Sequence, residues 1–419
     1  MNIYLQTFGC KMNQFESQAI IEILKNNNFN VVNKFEEADI VIINSCTVTE
    51  KAQQKNIMFM KKAKKLGKIV IITGCYATVD YEEIEEMKYA DIILDNNSKF
   101  KIPEILIKKF NIDKNVNSYE KGDFPDVYYF DTTRAFVKIQ DGCNRYCSYC
   151  IVPYARGNSR SNNPDLILKT VRDLVGLNYK EIVLTGINIS DYNYKDYKLI
   201  DLLNDIISIT GDFRIRLSSL QPDKFDLKIL DFLNNDKFAN HFHLSLQSGS
   251  SSVLKRMNRH YTPEQYYSIV KIVRDIDKTC GITTDIIVGF PDETEDEFRE
   301  TMEFIEKIEF TRIHIFPYSK RKGTLAVKFN DLPFDIKKNR LKVLENISLM
   351  AAKNFIRKNI LGKKFKVLIE DLDRNVWSGY TSNYLRINSI KEELKHNEFF
   401  LLTASDLVVK KNVIELIDN

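Results

Sequence analysis

The sequence is short of the residues that mark unfolded or fibrous classes. Fifteen glycines and nine prolines in 419 residues exclude collagen-like repeats and glycine-rich tethers, in which those residues rise well above their usual share. No apolar run reaches the length of about 18 residues that a membrane-spanning helix needs. The start, MNIYLQTFGCK, lacks the basic and apolar regions of an export signal. A soluble, cytoplasmic protein with no membrane partner is therefore expected. Seven cysteines are too sparse, and odd in number, for a disulfide framework, so reduced thiolates holding a metal are the better reading. An excess of one charge is also missing: 61 Lys and Arg against 57 Asp and Glu neither demand nor exclude a nucleic-acid partner.

Apolar residues are plentiful, at 44%, enough for more than one core in a chain of two to four domains. From residue 1 to 110, short apolar runs such as DIVIIN, KIVIIT and ADIIL alternate with amphipathic stretches such as QAIIEILKN. Strands covered on both faces read as continuous Val/Ile runs, so this part is expected to be a doubly wound α/β domain on a parallel sheet. Residues 111–133, polar and without apolar periodicity, read as a linker. Between 134 and 335 six candidate strands recur with helical stretches between them: AFVKIQ, EIVLTG, FRIRLSS, HFHLSLQ, ITTDIIVGF and TRIHIFPY. Six units point to a partial (β/α)6 barrel rather than a full eight-unit one, with its site at the strand C-termini. Residues 320–364 carry 13 Lys and Arg against 3 Asp and Glu, and a basic connecting helix is expected over 336–359. Residues 360–419, with short alternating segments, read as a small all-β module.

Cys143, Cys147 and Cys150 form CNRYCSYC, placed after the first strand of the central domain. Three such thiolates can hold three irons of a cubane cluster and leave the fourth open to substrate. A structural zinc site is the competing reading, but zinc takes four ligands and no histidine follows nearby. Cys10, Cys46 and Cys75 each directly follow an apolar strand, in TFGC, INSC and ITGC. Parallel strands present their C-terminal ends on one sheet edge, so these three can converge as well; three unrelated buried cysteines are the competing reading. Cys280 has no partner at suitable spacing and reads as structural.

The C-x3-C-x2-C spacing resembles that of the radical S-adenosylmethionine superfamily. In that family the open iron chelates S-adenosylmethionine, and an electron from the reduced cluster cleaves it to a 5′-deoxyadenosyl radical able to attack an unactivated C–H bond. Tyr149 matches the aromatic position of the family motif and is expected to lie against the adenine. Over its length the chain resembles the radical S-adenosylmethionine methylthiotransferases, on TFGCKMNQFES, INSCTVT, TGCYA, VKIQDGCNRYCSYCIVPYARG, HLSLQSGSSSVLKRMNRHYT and DIIVGFPDETEDEF, with KVLIEDLDRNVWSGYTSNYLRI similar to the RNA-binding TRAM barrel. The resemblance implies two 4Fe-4S clusters, the second on the early trio, and S-adenosylmethionine contacts from Gly186, Asn188, Ser218, Gln247 and Asp285. It also implies a tRNA anticodon loop as substrate, a small electron-transfer protein as reductant and a sulfur donor.

KIQDGCN, PYARGNSRS and GYTSNY resemble the branch acting on threonylcarbamoyladenosine. The alternatives are isopentenyladenosine or an aspartate of a ribosomal protein and, from another class, a non-catalytic zinc-containing RNA-binding protein. A threonyl carboxylate would want a cation, and Arg156 and Arg160 are the expected partners.

Overall fold

A computed structural model describes residues 1–112, 124–130 and 132–418 of the chain. The first sheet consists of β1 (Asn2–Thr7), β2 (Asn30–Val31), β3 (Ile40–Ser45), β4 (Ile69–Gly74) and β5 (Ile92–Ile93). All its pairings are parallel and the order is β2-β1-β3-β4-β5. Helix Lys11–Asn26 covers one face with Phe15, Ala19, Ile20, Ile23 and Leu24. Helix Glu50–Lys65 covers the other with Met60 and Ala63. Covered on both sides, the central strand Ile40–Ser45 is buried at every residue, the condition under which alternation vanishes from the sequence. The strand order reverses between β1 and β3, the point where open sheets of this kind bind ligands outside the strand C-termini.

The central domain contains β6 (Arg134–Lys138), β7 (Glu181–Thr185), β8 (Arg214–Leu217), β9 (Ser219–Leu220), β10 (His241–Leu244), β11 (Gly281–Val288) and β12 (Arg312–Pro317). Every pairing among these strands is parallel and follows chain order, β6-β7-β8 and then β9-β10-β11-β12. Ser218 is the break at which one strand run leaves the first ladder and enters the second. These strands are the six read from sequence, and a single apolar cluster from Ala135 to Leu344 fills the space beneath their helices.

Of the expected linker, residues 113–123 and 131 lie outside the described residues, but 124–130 pack down as a strap. Val127 is buried in the first domain's core, the Tyr129 amide donates to Glu22 Oε1 (2.8 Å), and the Phe130 amide donates to the Tyr179 hydroxyl (2.9 Å).

A long helix, Phe334–Asn359, leads to a mainly antiparallel six-stranded sheet. Its strands are β13 (Lys364–Asp373), β14 (Val376–Thr381), β15 (Arg386–Ser389), β16 (Phe399–Thr403), β17 (Asp406–Lys410) and β18 (Val413–Asp418), in the order β16-β13-β14-β15-β18-β17. Buried charge docks this sheet on the central domain. Glu181 on β7 accepts from Arg214 Nε (2.8 Å) and Arg216 Nε (2.9 Å). The same guanidinium groups donate to the backbone carbonyls of Lys366 (3.3 Å), Tyr380 (3.2 Å) and Thr381 (3.4 Å). Burial alone would raise the Glu181 carboxyl, but the two arginines hold it far below the usual carboxylate range.

Candidate metal and cofactor site

The loop carrying Cys143, Cys147 and Cys150 is pinned at several points. Gly142 has φ +72°, and an added Cβ would stand 2.0 Å from the Asn158 carbonyl oxygen, so only glycine lets the chain enter here. The Ser148 amide donates to the Met257 carbonyl (3.0 Å), and the Ser148 carbonyl accepts from the Ala326 amide (2.7 Å). Arg259, buried, donates to Cys147 Sγ (3.4 Å), Gln221 Oε1 (2.6 Å) and the Ser245 carbonyl (3.0 Å). It thereby places a cation beside the Cys147 sulfur and ties two strand ends, at Gln221 and Ser245, to the loop.

These cysteines open on a cavity of about 290 Å³, at the lower end of ligand-pocket sizes. Its walls include Tyr149, Asn188, Gln247 and Asp285, so four of the residues expected at the cofactor stand together there. Gly186 and Ser218 do not line it; their neighbours Ile187 and Ser219 do. Gln247 has φ +72° without being glycine, a strained conformation held by the ladder to Asp285 and Ile287. Asp285 accepts from His243 Nε2 (3.1 Å), and this neighbour outweighs burial and keeps the carboxyl below its ordinary value. Asn188 Oδ1 is buried and has no hydrogen-bond partner among the described residues. An orphan acceptor on a cavity wall suits a ligand's N–H or O–H, so the donor set and the cavity both fit a cluster with an organic cofactor on its open iron. Sequence reasoning missed Arg259, Gln221 and Ser245; the last two follow separate strands, and the arginine stands between two helices in the segment KRMNRHYT, with no spacing to flag it.

The early trio lies at the switch point of the first sheet. Register sets Thr7 beside Asn44 and Ser45 beside Gly74, so Cys10, Cys46 and Cys75 follow strands that end level. An added Cβ at Gly9, φ +116°, would lie 2.8 Å from Cys46 Cβ, which measures how closely the two loops approach. Burial pushes the Cys46 thiol up to about 12, as it does Cys150; such thiols lose their protons when they ligate metal. Among the described residues no three His, Cys, Asp or Glu side chains converge on a single ion, whereas a cubane spreads its thiolates over separate irons. Val48 and Thr49, just after Cys46, line the same cavity as Cys143, Cys147 and Cys150. The segment just after Cys46 therefore borders the chamber of the later trio.

Arg156 is not where the sequence reading put it. Its guanidinium is buried, donating to Glu16 Oε1 (2.7 Å), Glu16 Oε2 (3.0 Å), Asp141 Oδ1 (3.2 Å) and Asn13 Oδ1 (3.3 Å). A substrate carboxylate would have to displace two buried anions from it. Arg160 is about one-third exposed, lies 3.6 Å from Asp141 and donates to the Arg156 carbonyl (2.9 Å). Neither lines the chamber; Arg145, paired with Asp223 at 2.8 Å, does.

Two family models match the chain: the Radical SAM superfamily over residues 137–305 and the Uncharacterized protein family UPF0004 over residues 2–95. Among solved structures, the radical S-adenosylmethionine methyltransferase from Kitasatospora setae has a TM-score of 0.55 at 13% identity, covering 75% of this chain and 74% of that one. Fold and site together define a radical S-adenosylmethionine enzyme, whose cofactors are a 4Fe-4S cluster and S-adenosylmethionine. The threonylcarbamoyladenosine tRNA methylthiotransferase of Aquifex aeolicus is 37% identical over 399 residues, covering 92% of this chain and 96% of its own. The Bacillus subtilis protein of the same name is 35% identical over 408 residues, covering 92% and 89%. The tRNA-2-methylthio-N(6)-dimethylallyladenosine synthase of Clostridium novyi is 37% identical over 393 residues, covering 89% and 86%. The chain belongs to the radical S-adenosylmethionine methylthiotransferase family.

Proposed function

We propose that this protein inserts a methylthio group at carbon 2 of N6-threonylcarbamoyladenosine beside the anticodon of tRNA, using a second 4Fe-4S cluster on Cys10, Cys46 and Cys75. The observation that carries this reading is the shared chamber: residues next to Cys46 and the cysteines of the radical motif line one cavity. When bound, the cofactor at the Cys143 site supplies one-electron chemistry able to break an unactivated C–H bond. The chain's own residues hold and shield it. Tyr149 offers a ring to the adenine, Asn188 and Gln247 offer polar atoms to the amino-acid and ribose groups, and Asp285 offers a carboxylate aligned by His243. Val48 and Thr49 close the chamber on the sulfur-bearing side.

A substrate carboxylate meets Arg145 at the chamber wall. The anticodon arm lies against the six-stranded module and the exposed Lys338, Lys342, Arg357 and Lys358 of the long helix. Electrons come from a small electron-transfer protein, and a separate donor restores the sulfur. The work is cytoplasmic; among the described residues no helix is long and apolar enough to cross a membrane.

Nucleoside mass spectrometry of tRNA from cells lacking the gene tests the proposal. Loss of the methylthio form of threonylcarbamoyladenosine is expected, restored by the natural chain and not by Cys143→Ala. Loss of the isopentenyl form instead transfers the assignment to that substrate, and an unchanged nucleoside pool rejects tRNA as the target.

A further inference from the structure

The short helix Val152–Arg156 begins two residues after Cys150, yet its far end reaches the early trio. Arg156 donates to Asn13 Oδ1 (3.3 Å), the atom that also accepts from Cys10 Sγ (3.4 Å). Asn13 Nδ2 donates to the carbonyl of Ser45, beside Cys46 (2.8 Å). Asn96 Nδ2 donates to the Ala155 carbonyl (2.6 Å) and lies 3.9 Å from Cys75 Sγ. Each early cysteine is thus linked to this helix through one asparagine: Cys10 and the Ser45 neighbour of Cys46 through Asn13, and Cys75 through Asn96. Glu16 anchors it, bonded to Lys99 (2.6 Å) and Arg156 (2.7 Å) with its side chain fully buried. Burial works against the Arg156 charge, but Cys75, Glu16 and Asp141 more than offset this and hold the guanidinium above its ordinary range.

Resting on the proposed second cluster, we infer that Arg156 and Glu16 are positioning residues that clasp the two cysteine trios together and set, with opposite signs, the reduction potential of the early one. A buried cation beside a cluster favours the electron it gains, and a buried anion opposes it, because net charge is one of the levers on cluster potential and low dielectric leaves it unscreened. Arg259 holds the matching place on the other trio, through Cys147. Each site thus has its own buried arginine.

The test is an EPR-monitored redox titration of the anaerobically reconstituted full-length chain carrying Cys143→Ala, Cys147→Ala and Cys150→Ala, so that only the early site titrates. Arg156→Met is expected to make one-electron reduction at least tenfold less favourable, a shift of about 59 mV to more negative potential. Glu16→Gln is expected to shift it the other way, and Arg156→Lys to stay near the parent. If Arg156→Met loses iron, Arg156→Gln, which removes the charge and keeps an N–H donor toward Asn13, is read in its place against Glu16→Gln. Shifts of one sign, or none, with iron retained overturn the inference. A parent chain that holds no iron overturns the second cluster itself, and the inference with it.

Discussion

At the residue scale the best-defined structural lever is Glu181. Its carboxylate is fully buried between Arg214 and Arg216, so Glu181→Gln leaves two buried cations short of an anion. Breaking such a pair costs roughly 3–5 kcal/mol, and urea unfolding of the variant should show a loss of that size. The same group gives a pH dependence. Its folded pKa lies below the unfolded value, so its stabilisation is complete above about pH 5 and falls away as pH drops through and below the unfolded carboxylate pKa of about 4.3. The natural chain should lose unfolding free energy on acidification, and Glu181→Gln should lose less over that window; parallel curves would contradict the assignment. Gly142→Ala meets the Asn158 carbonyl at 2.0 Å from a left-handed backbone, and should cost more than about 1 kcal/mol and lower iron content at the radical site. Iron content equal to that of the natural chain would show that the loop can give.

At the element scale the strands were legible and the contacts between them were not. Val/Ile runs named the parallel strands because burial on both faces removes every polar position, as in Ile40–Ser45. Level strand ends could be read off TFGC, INSC and ITGC for the same reason. Arg156 could not be assigned from sequence, because its anion Glu16 lies 140 residues away on another domain's helix. The packing of FPDVYYF was not legible because it rests on single anchors such as Val127 rather than on a period.

The helix Phe334–Asn359 is basic as expected, but Lys337 and Arg340 point inward, to Asp331 (2.6 Å) and Glu293 (2.6 Å), and are buried. Only its outward cations are placed to meet phosphates. Replacing Lys338, Lys342, Arg357 and Lys358 with Gln together should weaken tRNA binding and reduce the slope of log affinity against log salt, by up to about 0.9 for each phosphate left unneutralised on a duplex arm. An unchanged slope would remove this helix from the RNA surface.

At the scale of the whole molecule, two α/β scaffolds are locked edge to edge. The Glu50 amide donates to Ser319 Oγ (2.9 Å), and Arg156 joins the first helix to the radical loop. These locks fix what neither domain has alone: Val48 and Thr49, just after Cys46, on one chamber wall with Cys143, Cys147 and Cys150, the arrangement on which the proposed second cluster rests. Iron and sulfide analysis of anaerobically reconstituted protein tests that claim most directly. About eight irons per chain are expected, falling to about four when either trio is replaced by alanine. Four irons that disappear entirely with Cys143→Ala, Cys147→Ala and Cys150→Ala, or zinc without sulfide, would contradict it.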